Sequence, residues 1–311
     1  MIEFPTVFIL GAGASLPFGF PSGRSLVTDI CRDLGNLHSE FKLKLQKCDF
    51  DEDLIVRFRK ELHFSMQPSV DLFLEKRPEY LEIGKAAIAA ALIAYENPNS
   101  LGRKEDGLSW YEYLFAKLET SPEEFSQNKL AIITFNYDRS LEYFLFVALR
   151  HTYDLKENEA AKLVHSIPII HVYGQLGAFP FLGLDNERYY TPEVKPELIK
   201  IAASGIRIIS EDAADTPEFT QAHDLIAKAK VVCFLGFGFH TENVKRLITK
   251  VQQQLDTNWN FRTFDGSAYD IKEGERPLIS HLFKGRIKLG NEDEDVLNYL
   301  RRNQIFLHRT D

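Results

Sequence analysis

The sequence predicts an α/β fold: a Rossmann-like, doubly wound parallel sheet with an all-helical insertion and no zinc ribbon. Three observations predict it. Short, nearly continuous apolar runs rich in Val and Ile recur along the 311 residues. Helical periodicity separates them, and one long stretch after the first run carries helical signals alone. Strands buried on both faces of a parallel sheet read in this way, and strands alternating with helices imply such a sheet.

The expected strands are Thr6–Leu10 (TVFIL), Leu130–Thr134 (LAIIT), Ile167–Val172 (IPIIHV), Ile206–Ile209 (IRII) and Lys230–Leu235 (KVVCFL), with Asn260–Phe264 as a further candidate. Helices are expected at Ser25–Leu34, Arg139–Leu149, Thr216–Ala229 and Thr241–Leu255. Residues 36–128 form the helical insertion, with Lys85–Tyr95 (KAAIAAALIAY) and Leu108–Leu118 its clearest helices; residues 1–35 and 129–311 form the sheet-bearing core. Lys85–Tyr95 is apolar nearly all round and must be buried, either within the chain or against a partner. Gly177–Pro192, rich in Gly, Pro and aromatics, reads equally as a lid or as an irregular crossover. The acidic run Asn291–Asp295 reads as a helix start, where carboxylates are favoured. Lys245, Arg246 and Lys250 read as a solvated helix face.

Bulk properties narrow the function. Hydrophobic residues at 44% and charged residues at 26% suit a globular chain, and the net charge of −8 argues against direct binding to nucleic acid or an anionic membrane. No apolar run approaches the length of a membrane span, and no basic segment precedes the first one as in a secretory signal. Cys31, Cys48 and Cys233 form no C-x-x-C pair, so neither a disulfide scaffold nor a cysteine zinc site is expected. The scattered histidines lack metal spacing. No metal is expected, and a cytoplasmic location fits.

Four motifs follow expected strands. Gly11-Ala12-Gly13-Ala14-Ser15 leaves the first; glycines there let a backbone approach a pyrophosphate and offer bare N–H groups, or simply make a tight turn. Thr134-Phe135-Asn136-Tyr137-Asp138 leaves the second, where Asn136 and Asp138 also suit a turn and a helix cap. His171-Val172-Tyr173-Gly174-Gln175 leaves the third; His171 titrates near neutrality and is the better general base, Tyr173 the alternative. Leu235-Gly236-Phe237-Gly238-Phe239-His240-Thr241-Glu242-Asn243 leaves a later strand, and its His240, Glu242 and Asn243 read as ribose contacts or as helix caps.

In register, residues 11–24 (GAGASLPFGFPSGR) resemble the sirtuin loop G-A-G-x-S-x-x-x-G-x-P-D-F-R, matching at Gly11, Ala12, Gly13, Ser15, Gly19, Pro21 and Arg24 and departing at Ser22 and Gly23. The second motif is similar to the sirtuin T-Q-N-x-D, with Phe135 for glutamine. In the third, the family histidine immediately precedes the glycine, a position held here by Tyr173. The chain therefore resembles the sirtuin-like (silent information regulator two-like) superfamily, and most closely the bacterial NAD hydrolases of anti-phage defence.

That resemblance implies NAD as substrate, cleaved at the nicotinamide–ribose bond to give nicotinamide and ADP-ribose. It implies that Asn136 places ribose and water, that Asp138 holds the carboxamide, and that His171 accepts a proton. NAD binding falls to Gly11, Ala12, Gly13, Ser15, Pro21, Arg24, Thr134, Tyr173, Gly174, Gly236, Phe237, Gly238 and Asn243. An NAD- or ADP-ribose-sensing module without cleavage, and an ADP-ribosyltransferase or deacylase, are the rival activities. A gated NADase further implies a homo-oligomer and a separate partner such as a HerA-type ATPase or DNA translocase.

Overall fold

The computed structural model describes all residues except 37–38, 104, 106, 209–215, 256–262, 304 and 307–311. Its sheet has six parallel strands: β1 (Thr6–Leu10), β2 (Leu130–Thr134), β3 (Ile169–His171), β4 (Val231–Leu235), β5 (Phe264–Gly266) and β6 (Ile287–Leu289). They lie in the order β3-β2-β1-β4-β5-β6. This is the order of dinucleotide-binding doubly wound sheets, whose topological switch point lies between the first and fourth strands. β1 is fully buried between β2 and β4, in register Thr6↔Leu130 and Thr6↔Val231. A central strand covered on both faces cannot alternate with polar residues, which explains TVFIL.

Between β1 and β2 lie only helices: α1 (Gly23–Gly35), α2 (Glu40–Gln46), α3 (Glu52–Phe64), α4 (Val70–Lys76), α5 (Leu81–Ile93) and α6 (Trp110–Leu118), with short 3-10 turns between some of them. Local caps set several of their starts. Ser22, Asp51 and Ser69 accept from the backbone N–H three residues on, and Ser109 with Glu112 forms a capping box at α6. α5 carries nine buried residues, among them Ile83, Ile88 and Ile93, and packs against α1, α2 and α9 (Pro196–Gly205). The all-round apolar helix is therefore buried inside the chain's own fold and offers no surface to a partner.

The later connections use α7 (Ser140–Tyr153) and α8 (Glu157–His165) before β3, then α9 and α10 (Pro217–Lys228) before β4. α11 (Thr241–Leu255) precedes β5, α12 (Arg276–Leu282) lies between β5 and β6, and α13 (Val296–Arg302) follows β6. Asp295 caps α13, its Oδ1 accepting from Asn298 N at 2.7 Å, as the acidic run predicts.

Two expected strands differ. Ile206–Ile208 is no strand: α9 runs to Gly205, and Ile206 makes only an isolated bridge to Gly174. Ile209 lies outside the described residues. The candidate at 260–264 begins only at Phe264, with residues 260–262 outside the described set. Among the described residues, no helix is long and apolar enough to cross a membrane.

Candidate functional site

The loops leaving β1 and β2 meet at the carboxyl edge of the sheet, where ligands bind in such folds. The Thr134 hydroxyl accepts from the Asn136 backbone N–H at 3.0 Å, curling the chain as it leaves β2. The Asn136 side chain then reaches the β1 loop, Nδ2 donating to the Gly11 carbonyl and to Ser15 Oγ, each at 3.1 Å. Ser15 Oγ in turn donates to Asp138 Oδ2 at 2.8 Å. Asp138 Oδ1 accepts from the Ser140 N–H at 3.1 Å and from the Ser140 hydroxyl, bracing the start of α7. Burial raises the Asp138 carboxyl above its ordinary range, outweighing these hydrogen bonds. Three residues from two separate motifs are thus one connected cluster, with Ser15 the hub.

His171 ends β3 beneath this turn and is buried. Its Nδ1 lies 2.9 Å from the Asn136 carbonyl and its Nε2 2.5 Å from Glu142 Oε1 on α7. Both ring nitrogens are engaged inside the protein. Thr134 is likewise buried and holds the turn rather than offering a free side chain.

The two glycine loops touch each other. Gly11 N donates to the Leu235 carbonyl at 3.1 Å and Gly13 N to the Gly236 carbonyl at 2.9 Å. Both amides, expected to solvate a pyrophosphate, are therefore spent between the loops. A Cβ on Gly13 would lie 2.8 Å from Gly236 Cα, so the pair is required for this backbone contact. Gly236 has φ +56°, and a Cβ there would lie 2.0 Å from Ala14 N. Gly236→Ala is expected to cost about 2–5 kcal/mol, combining left-handed strain with overpacking. A urea midpoint measures it; a loss below about 1 kcal/mol would contradict this packing role. Phe237 is buried against Phe135, Phe234 and Phe239, a core residue. Gly238 is exposed. Trp110, at the start of α6, donates from Nε1 to the Ala14 carbonyl at 2.8 Å and ties the insertion to the first loop.

Tyr173 faces α11 and α4. Its hydroxyl donates to Asn243 Oδ1 at 2.6 Å and accepts from Arg246 Nη1 at 2.6 Å. Burial pushes the phenol up to about 12, so it stays protonated near neutrality. Arg246 is buried and paired with Glu75 at 3.2 Å, which corrects the expectation of a solvated position. One turn earlier on α4, Asp71 accepts from the Tyr137 hydroxyl. The i, i+4 carboxylates of α4 thus grip two residues at the carboxyl edge. Gly174, with φ +74° and its would-be Cβ 2.0 Å from the Gly205 carbonyl, must be glycine to pass α9.

Arg24 is not brought to this cluster. It is exposed and lines a groove of about 630 Å³ with Arg32, Arg59 and His63, between α1 and α3. Pro21 precedes the Ser22 cap of α1. Two buried arginines hold both ends of the Gly177–Pro192 segment. Buried Arg139 donates to the carbonyls of Ala178 (3.1 Å) and Arg188 (2.7 Å), and buried Arg188 donates to the Leu176 carbonyl at 3.0 Å. Both arginines share the fully buried Glu96, Arg139 Nη2 lying 3.0 Å from Oε2.

Residues 130–270 match the SIR2-like domain family. The matched span holds β2 to β5 and the loops at Asn136, His171 and Gly236, and it begins after the β1 glycine loop. A SIR2-like domain supports sirtuin-like ancestry, NAD binding and NAD-dependent chemistry in general. No curated protein matches the chain. Among the described residues, no group of three or more His, Cys, Asp or Glu side chains is placed to hold a metal ion.

Several residues of the cluster carry no motif signal. Asp71, Glu75 and Glu96 lie far along the chain from their partners. Glu142 had one: it is the acidic residue four positions beyond Asp138 on the helix that follows the motif.

Proposed function

We propose that this chain binds NAD at the carboxyl edge of the sheet and hydrolyses its nicotinamide–ribose bond. The observation that carries the reading is the Ser15 hub, which joins Asn136 and Asp138 beside the β1/β4 switch point. Asn136 uses both Nδ2 protons on the protein, leaving Oδ1 as an acceptor for a ribose hydroxyl or a water. Asp138 accepts three hydrogen bonds from Ser15 and Ser140. A carboxylate has about four acceptor sites, so one remains for the carboxamide N–H of nicotinamide. Cleavage breaks the bond between the anomeric carbon and the pyridinium nitrogen, and the electron pair leaves with nicotinamide. The oxocarbenium-like ribosyl centre takes the oxygen of water, whose proton passes to solvent.

Incubation of the purified chain with NAD tests this. Nicotinamide and ADP-ribose in equal amounts are expected; NAD bound but uncleaved would replace the reading with a sensing module. The engaged nitrogens of His171 are what favour that second reading, because they leave no free imidazole base.

The proposed role is NAD depletion in anti-phage defence, in a cytoplasmic assembly gated by self-association and by a partner of the HerA ATPase type. With α5 buried, apolar side chains open to assembly include Phe64 and Met66 at the end of α3, 67% and 79% exposed, and Leu278 on α12, 72% exposed. Light scattering is expected to give a mass well above the 35.7 kDa of one chain; a monomer that cleaves NAD at full rate alone would contradict it.

A further inference from the structure

Glu142, the carboxylate partner of His171, lies outside the Ser15–Asn136–Asp138 cluster. It sits in the first turn of α7, buried, with its Oε1 on His171 Nε2. The other ring nitrogen meets the carbonyl of Asn136, which can only accept, so Nδ1 carries a proton. A carboxylate 2.5 Å from Nε2 makes the second contact charge-assisted, with Nε2 protonated as well. We infer that Glu142 is a positioning residue of the proposed NAD site: it holds His171 as an imidazolium whose Nδ1–H fixes the Asn136 carbonyl, and thereby sets the turn that carries Asn136 and Asp138.

The electrostatics agree. Burial alone would push the imidazole pKa down. The Glu142 charge, the hydrogen bonds to Glu142 and to the Asn136 carbonyl, and the nearby Asp138 together drive it up instead. The ion pair is net neutral, so it places no unbalanced positive charge beside an oxocarbenium-like centre. Geometry supplies the function: the Asn136 backbone is held from below by His171, while its side chain is held from above by Gly11 and Ser15. His171 then acts as a strut, with no nitrogen left to accept a proton from water.

The kinetic part of this inference rests on the NAD hydrolase reading; the protonation part stands without it. Nitrogen-15 NMR of histidine-labelled full-length protein should show both His171 ring nitrogens protonated at neutral pH. In Glu142→Gln a neutral ring, protonated at Nδ1 and accepting at Nε2 from the glutamine amide, should replace it. A neutral His171 in the wild-type protein at neutral pH would overturn the inference. In turnover, Glu142→Ala should lower kcat about 10²-fold with KM little changed, the scale of a slight misplacement of reacting groups. Glu142→Gln should recover most of that loss, because its amide keeps the ring in place. An equal loss in both variants, or none in either, would overturn the positioning role. Should Glu142→Ala fail to fold, Glu142→Gln and the wild-type spectrum still decide. If wild-type protein leaves NAD intact, the hydrolase reading fails while the spectra still judge the ion pair.

Discussion

Asn136→Ala is expected to abolish nicotinamide release from NAD, a loss of at least 10²–10³-fold, roughly the cost of removing one preorganised polar group aimed at a developing charge. The substitution removes Oδ1, the acceptor assigned to ribose or water. It also removes the two Nδ2 contacts that tie the β2 turn to Gly11 and Ser15. Two net hydrogen bonds at a half-buried position amount to roughly 1–3 kcal/mol, too little to unfold a domain of this size. Circular dichroism should therefore stay native while activity disappears. Full activity in a folded Asn136→Ala protein would remove Asn136 from the mechanism.

The largest expected effect on stability belongs to Glu96→Ala. Glu96 is wholly buried and is the shared carboxylate of Arg139 and Arg188, both buried themselves. Removing it leaves two guanidinium groups without an anion in the interior. Breaking a buried pair by deleting one partner costs about 3–5 kcal/mol. Because those arginines also hold the carbonyls of residues 176–178 and 188–189, limited proteolysis should begin to cut the crossover between Leu176 and Tyr190. Glu96→Gln, which keeps the shape and some acceptor capacity, should fall between wild type and alanine. A denaturation midpoint for Glu96→Ala within about 1 kcal/mol of wild type, with the crossover still protected, would show that the arginines find solvation elsewhere.

The parts of the fold that follow from one local rule were legible in the sequence. TVFIL, LAIIT and KVVCFL are central strands because neither face meets water, and an unbroken apolar run is the mark of that position. β6, with its exposed Lys288 and half-buried Ile287 and Leu289, carries no such run at the sheet's edge and gave no signal. IRII has the pattern of another central strand. Ile206 is instead the exit of α9, bridged to Gly174, a tertiary contact that no local pattern encodes.

The site divides in the same way. Ser15, Asn136 and Asp138 come together because they follow the carboxyl ends of two adjacent strands, β1 and β2, so their motifs announced them. The glycines stand where their motifs put them, but their role differs. Their amides and missing side chains serve the contact between the β1 and β4 loops. Arg246 shows the limit of helical periodicity. It lies beside the apolar stripe of Val244, Leu247 and Ile248, and partners from distant segments, Glu75 171 residues earlier and the Tyr173 hydroxyl, satisfy it there.

A crystal structure of the Asn136→Ala protein grown with NAD would locate the dinucleotide, since the variant should bind the substrate without consuming it. The nicotinamide carboxamide is expected within hydrogen-bond reach of Asp138, with the dinucleotide lying across the loops after β1 and β4. NAD seated instead in the groove of Arg24, Arg59 and His63 between α1 and α3, or absent from the carboxyl edge altogether, would contradict this placement.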